Sequence, residues 1–191
     1  NLPAFIQEKE IYRLLEQTNF DNDFEGQRDR MVMQTLYLTG IRLSELIGLR
    51  WSALDLSQLQ IKVLGKGKKY RIIPISSELR IAILSYKKVF EECFSIQNEN
   101  DFFIVRLNRE QAYPMMIYRI VKKCLNLIVR NTKSSPHLMR HTFATHLLNK
   151  GADLNAVKDL LGHASLAATQ VYTHNSIEKL KAVYEQAHPK A

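Results

Sequence analysis

The side chains best suited to proton transfer and anion binding are concentrated in the last third of the sequence. All six histidines lie between positions 137 and 188, and three fall within the segment HLMRHTFATH, residues 137–146. On a helix, His137 and Arg140 share one face. The opposite face carries Met139, Phe143 and Leu147. One face of this helix is therefore expected to pack while the other meets a substrate.

Most other histidines and tyrosines carry no such signal. A lone histidine on a helix is more often structural than catalytic, so we interpret His141 and His146 as structural. Most of the eight tyrosines are expected in the core or on the surface. Two short motifs stand apart: LLGH at residues 160–163, and VYTH at residues 171–174.

The elements that must position these residues are mostly helices. Apolar residues recur at helical spacing, and Gly40, Gly151 and Gly162 follow such stretches where helix C-caps are expected. By contrast, residues 59–64 alternate with period two, and a basic turn, GKGKK, separates them from residues 70–75. That pattern predicts a β-hairpin. We expect a mainly α domain with a small antiparallel β-sheet.

Positive charge is concentrated in two segments. Residues 62–71 hold five lysines or arginines and no acid, and residues 102–152 hold nine against Glu110 alone. The net charge of the chain is +8, so the remainder sums to 8 − 5 − 8 = −5. A polyanion is the natural partner of such segments, although a solvated basic face explains the charge equally well.

Size and composition favour one domain over residues 1–191. The sequence has no apolar run of the ~20 residues that span a bilayer, so we expect a cytoplasmic protein without membrane contact. Cys93 and Cys124 have no ligand spacing, and both are expected to be buried thiols. Asn1-Leu2-Pro3 looks like the tail of a linker, so we expect that a preceding N-terminal domain is missing from this chain.

The joint order of the motifs resembles one family. The segments TGIRLSEL (39–46), GKG (65–67), HLMRHTFATHLL (137–148), LLGH and VYTH occur in the order and spacing of the tyrosine recombinases, the phage integrase family. The resemblance is greatest to the Xer-type branch, and it covers essentially the whole chain. Departures are minor: Met139 stands where leucine is commoner, and Ala164 stands where serine is frequent.

The resemblance implies the tyrosine recombinase catalytic-domain fold and an active site of six residues. They are Arg42, Lys66, His137, Arg140, His163 and Tyr172. Arg42 and Arg140 match the two arginines of the family pattern, and Tyr172 matches the nucleophile. The implied reaction is site-specific recombination through a 3′-phosphotyrosyl intermediate, with double-stranded DNA as the partner.

The chemistry of strand transfer at a phosphodiester independently requires the same residue types. Negative charge builds on two nonbridging phosphate oxygens during strand transfer, and guanidinium groups match that geometry with two-point hydrogen bonds. His163 adds a donor, and His137 is the candidate base for Tyr172, because a phenol with a reference pKa of about 10 is a poor nucleophile unaided. Lys66 is the candidate acid for the departing 5′ oxygen.

We expect neither a metal nor a nucleotide cofactor. The sequence has no carboxylate cluster for magnesium, and GKGKK lacks the spacing and the Ser or Thr of a nucleotide P-loop. Glu45, three residues after Arg42, is interpreted as a support that orients this arginine or a neighbouring helix.

Two alternatives remain open. A type IB topoisomerase-like enzyme uses similar residues to nick and reseal one strand, and the HLMRHTFATHLL and VYTH segments argue against it. A catalytically silent DNA-binding module needs only the basic segments, and the intact set of six reactive positions argues against that.

Other basic residues are candidates for contacts with DNA phosphates. Those on or beside the hairpin turn are Lys68, Lys69 and Arg71. Those on or beside a predicted helix from Tyr113 to Val129 are Arg109, Arg119, Lys122 and Lys123. A solvated helix face is the competing interpretation of the second group.

The end of the chain is predicted to form a helix. Ser176 is expected to cap it, and the apolar stripe Ile177, Leu180, Val183 and Tyr184 is too narrow for a core of its own. Recombinases that resemble this chain commonly lend the segment after the nucleophile to a neighbouring subunit. We therefore expect helix 177–187 to fold back or be mobile in an isolated monomer, and to be exchanged between subunits in a tetrameric synapse on DNA.

Overall fold

The computed structural model describes residues 5–17, 20–65, 70–94, 100–128, 134–162 and 174–187. Within these residues the structure has eight α-helices, one 3-10 helix (Trp51–Ala53) and one small three-stranded sheet. The helices are α1 (Glu8–Gln17), α2 (Phe24–Thr39), α3 (Leu43–Ile47), α4 (Ser77–Phe94), α5 (Pro114–Leu125), α6 (Pro136–Asn149), α7 (Leu154–Leu160) and α8 (His174–Ala187). The strands are β1 (Leu54–Asp55), β2 (Gln60–Leu64) and β3 (Tyr70–Pro74). The predicted fold class is confirmed.

The predicted hairpin is confirmed as the antiparallel pair of β2 and β3. Ile61 lies opposite Ile73, and Val63 lies opposite Arg71. These four residues are all buried, so one face of the hairpin packs on the domain. Strand β1 extends the sheet to the order β1-β2-β3 and was not predicted, because two residues are too few to show an alternating pattern.

Helix α2 is the centre of the main core. Most of its residues are buried, and it packs against α4, α5 and α6. Asp23 caps its start by accepting a hydrogen bond from the Gly26 N–H, and Gly40 ends it in the left-handed conformation at φ 59°. The last residue of the helix, Thr39, is therefore three residues before Arg42.

Helix α6 separates the main core from a smaller apolar cluster. The opposite faces predicted for α6 are confirmed: Met139, Phe143 and Leu147 are buried, whereas His137 is exposed and Arg140 is partly buried. Ser135 caps the helix by accepting from the Leu138 N–H at 3.3 Å. The smaller cluster joins α6 to α7 and α8.

Helix α8 folds back on its own domain, as expected for an isolated subunit. Leu180 and Tyr184 are buried in the smaller cluster, and the Tyr184 hydroxyl donates to the Leu38 carbonyl at 2.8 Å. Lys181 Nζ donates to the Gln58 carbonyl at 2.7 Å. The prediction that Ser176 caps this helix was wrong: α8 begins at His174, and its first turn accommodates a serine at small cost.

The expected burial of the two thiols is only half right. Cys124 is buried on α5, and burial raises its pKa to about 11. Cys93 is exposed, because it lies on the outer side of the last turn of α4. Among the described residues, no helix has both the length and the apolar content to cross a membrane.

Candidate active site

Arg42 is fixed at the start of α3 by one carboxylate. Its backbone N–H donates to Glu45 Oε2 at 2.9 Å, and its Nη1 donates to Glu45 Oε1 at 3.0 Å. The Glu45 side chain is only 2% exposed, whereas that of Arg42 is 33% exposed. The interpretation of Glu45 as the residue that orients Arg42 is confirmed.

Arg140 reaches the same place from α6. Its Nη1 donates to the Gly40 carbonyl and its Nη2 donates to the Leu161 carbonyl, each at 2.5 Å. Arg42 Nη2 donates to the next carbonyl, that of Gly162, at 2.7 Å. The last carbonyls of a helix carry partial negative charge and lack helical partners. Consecutive carbonyls at the end of α7 therefore bring the two guanidinium groups together.

An open cavity of about 430 Å³ lies beside these two arginines. It is lined by Ile41, Arg42, Leu43, Ser44, Pro136, His137 and Arg140. His137, which precedes Arg140 by one helical turn, thus shares a cavity with both guanidinium groups. Three of the six predicted active-site residues are brought together here.

The electrostatic environment of this cavity is positive. The guanidinium groups of Arg42 and Arg71 pair with the carboxylate of Glu45, and Arg140 lies close enough to interact with all three through their charges, which leaves 3 − 1 = 2 positive charges among these four residues. Burial first, and then the charges of Arg42 and Arg71, lower the pKa of Arg140 to about 10. Arg140 remains charged at neutral pH, so the cavity favours an anion.

Arg71 occupies a different place from the one predicted. We expected it to contact DNA from the hairpin, yet it is only 5% exposed and its Nη1 donates to Glu45 Oε1 at 2.9 Å. The period-two pattern contained the signal: Arg71 is two residues before Ile73, so both point to the packed side of β3. Burial removes Arg71 from the candidate DNA contacts.

Five predicted site residues lie outside the described part of the chain. They are Lys66, Lys68, Lys69, His163 and Tyr172. Their roles stay predictions. One described segment ends at Gly65, immediately before Lys66, and another ends at Gly162, immediately before His163.

The remaining candidate phosphate contacts divide into two groups. Arg119, Lys122 and Lys123 are all exposed on α5, which ends at Leu125, four residues earlier than predicted. Arg109 lies in the preceding loop, and its Nη2 donates to Asp101 Oδ2 at 2.5 Å. The three helical residues therefore present their charge to solvent, whereas Arg109 is already paired with an acid.

His146 has the structural role predicted for it. Its Nε2 donates to the Ile6 carbonyl and its Nδ1 accepts from the Tyr37 hydroxyl, both at 2.9 Å. The directions follow because a carbonyl oxygen can only accept. Burial lowers the pKa of His146, which favours the neutral ring.

Comparison with known proteins identifies the family. The model of the phage integrase family matches residues 4–179, and the chain belongs to that family. The tyrosine recombinase XerC of Chlorobaculum parvum is 38% identical over 209 residues, an alignment that covers 100% of this chain and 62% of the relative. The chain thus spans less than two thirds of that relative's length.

Solved recombinase structures share the fold. The crystal structure of XerA recombinase superposes with a TM-score of 0.74 at 32% identity, covering 100% of this chain and 65% of that one. XerH recombinase bound to palindromic difH substrate, in a post-cleavage complex, gives a TM-score of 0.74 at 25% identity, with coverages of 95% and 52%. The predicted resemblance to Xer-type recombinases is confirmed.

The contact between Gly162 and Arg71 generates a prediction about how tightly the Arg71 side chain packs. A Cβ on Gly162 would lie 2.7 Å from Arg71 Cδ, whereas a Cβ on Gly151 would meet nothing within 4 Å. Both glycines have positive φ. We expect Gly151→Ala to lower the free energy of unfolding by about 1 kcal/mol through backbone strain alone. Gly162→Ala should cost roughly 1–3 kcal/mol more because Arg71 is displaced.

Urea unfolding of the two variants beside the wild type measures this difference. Equal losses of stability would show that Arg71 moves away from Gly162 freely.

Proposed function

We propose that this chain is the catalytic domain of a site-specific DNA recombinase, which cleaves and rejoins strands through a 3′-phosphotyrosyl bond to Tyr172. The observation that carries the proposal is the convergence of Arg42 and Arg140 on consecutive carbonyls beside the His137 cavity. Family membership and the XerC and XerH relatives support it. The partner is double-stranded DNA, as the family resemblance implies, and the XerH relative is named as bound to its palindromic difH substrate.

The arginines bind the scissile phosphate. Their positions next to one cavity suit a group with two nonbridging oxygens, and each planar guanidinium offers paired donors to such oxygens. Because both groups are anchored before substrate arrives, little reorganisation is needed when negative charge develops. His163, the residue that follows Gly162, supplies a further donor.

The covalent step balances without an external energy source. The Tyr172 oxygen attacks phosphorus, a phosphotyrosyl bond forms, and the bond from phosphorus to the 5′ oxygen breaks. His137 accepts the phenolic proton, and Lys66 gives a proton to the departing 5′ oxygen. One ester replaces another, so a 5′ hydroxyl from a second strand reverses the reaction by displacing Tyr172.

Removal of the nucleophile tests the covalent chemistry. We expect Tyr172→Phe to abolish the covalent adduct with a nicked suicide duplex while changing DNA affinity little, since only one oxygen is lost. Denaturing gel electrophoresis reports the adduct, and fluorescence anisotropy reports affinity. An adduct that survives in Tyr172→Phe would refute the assignment of Tyr172.

Resolution of a Holliday junction distinguishes strand exchange from nicking and closing. A chain that forms the adduct but leaves junctions untouched would be a topoisomerase-like enzyme instead.

The shape of the arginine side chains tests the phosphate-binding role. We expect Arg42→Lys and Arg140→Lys each to lose most cleavage activity although the charge is kept, because an ammonium group cannot form the planar two-point contact. Arg80→Lys, on the exposed face of α4, is the matched control and should cleave normally. Cleavage near the wild-type rate by both active-site variants would locate the phosphate elsewhere.

Exposed charge on and beside α5 forms a second part of the proposal: Arg109, Arg119, Lys122 and Lys123 contact backbone phosphates outside the active site. The exposure of the three helical residues supports it. Arg109 has the weakest support of the four, because its guanidinium already pairs with Asp101. Each neutralised phosphate releases bound counterions.

The salt dependence of DNA binding tests these four residues. Replacing all of them by alanine should weaken binding uniformly across sequences. The plot of log K against log salt should become shallower by ~0.9 for each phosphate that the protein no longer neutralises. An unchanged slope would show that these residues form a solvated surface that makes no contact with DNA phosphates.

The final part of the proposal concerns assembly: four subunits form the synapse, and each lends α8 to a neighbour. In the monomer, Leu180 and Tyr184 fill an apolar site between α6 and α7. An identical helix from another subunit makes the same contacts, so exchange costs little in packing. Because α8 begins two residues after Tyr172, the subunit on which α8 docks also governs where the nucleophile lies.

Deletion of residues 177–191 tests the exchange. We expect synapsis and recombination to fall more than single-subunit binding to one half-site, as measured by native gel mobility. Full recombination by the truncated chain would make α8 an ordinary element of its own domain.

A further inference from the structure

Arg71 lies where the small sheet meets the paired arginines. It belongs to β3, opposite Val63 of β2, and it is only 5% exposed. Its Nη1 donates to Glu45 Oε1 at 2.9 Å, and the same oxygen accepts from Arg42 Nη1 at 3.0 Å. One buried carboxylate oxygen therefore connects Arg71 with Arg42.

The stem of Arg71 also contacts the second anchor of Arg42. A Cβ on Gly162 would lie 2.7 Å from both Cδ and Nε of Arg71, so this side chain rests directly on the glycine. The Gly162 carbonyl accepts from Arg42 Nη2 at 2.7 Å. Arg71 thus touches both groups that hold the Arg42 guanidinium: the carboxylate at one nitrogen and the glycine at the other.

We propose that Arg71 is a positioning residue, which orients Arg42 for phosphate binding through Glu45 and Gly162 without contacting the substrate itself. This inference rests on the proposed function of Arg42. Its burial keeps Arg71 away from DNA, and its two contacts restrain Glu45 and Gly162, which both hold Arg42. A guanidinium released from either restraint loses the alignment that two-point binding requires.

The first test separates the rate of cleavage from DNA affinity. Arg71→Met keeps an unbranched stem but removes the donors. At saturating protein we expect single-turnover cleavage of a nicked suicide duplex to slow by about 10- to 100-fold, with half-saturation within about twofold of wild type. Arg71→Lys, which keeps the charge, should recover part of the rate, and Arg80→Met on exposed α4 should cleave normally.

The second test asks whether Arg71 acts through Arg42 or only through packing. A methylphosphonate at the scissile position replaces one nonbridging oxygen by a methyl group and removes the negative charge that a guanidinium stabilises. We expect the ratio of methylphosphonate to phosphate cleavage rates to rise about tenfold or more in Arg71→Met, in the same direction as in Arg42→Met. Both rates come from one preparation, so the ratio is independent of the folded fraction.

The outcomes separate this inference from the function on which it rests. An unchanged ratio in Arg71→Met, with both substrates slowed equally, would reduce Arg71 to a packing residue and overturn the inference. Cleavage by Arg71→Met at the wild-type rate would overturn it as well. A wild-type chain that forms no adduct with either duplex would overturn the proposed function and this inference together.

Discussion

The buried carboxylate of Glu45 accepts hydrogen bonds from the backbone of Arg42 and from the guanidinium groups of Arg42 and Arg71. A charge removed from water is costly unless it is paired and its lone pairs are satisfied. Here a helix of only five residues, α3, supplies the carboxylate at the position where it also caps its own first turn. The concentration of positive charge around the cavity depends on this one negative group.

Carbonyl groups at helix ends hold the guanidinium groups of Arg42 and Arg140 in addition to Glu45. The carbonyl of Gly40 lies at the end of α2, and those of Leu161 and Gly162 lie at the end of α7. Carbonyls at a helix C-terminus have no partner within the helix, and their partial negative charge favours cations. Arg140 joins the two helix ends, so the packing of α2 against α6 sets the geometry of the cavity.

Features governed by local periodicity were predictable, and those governed by long-range packing were less so. The faces of α6 and the pairing of β2 with β3 follow from apolar spacing. Arg71 lies elsewhere than predicted because a run of charges on a hairpin indicates one exposed basic group, whereas the alternation of β3 assigns this residue to the packed side. Cys93 is exposed although thiols are usually buried, because its position on α4 decides its exposure. No local sequence pattern predicts the contacts of Arg140, because Gly40 is 100 residues away. The choice of that carbonyl depends on how α2 and α6 cross.

The sequence separations within the cavity also fix an order of events during synthesis. Arg42 meets Gly162 across 120 residues, and Arg140 meets Leu161 across 21. A nascent chain that has not yet exposed the end of α7 therefore lacks one anchor of each guanidinium group, although Glu45 and Gly40 are already present. Contacts of such long range form late, because closing a long loop is entropically costly. A ribosome-bound fragment consequently carries the arginines without the arrangement that makes them a pair.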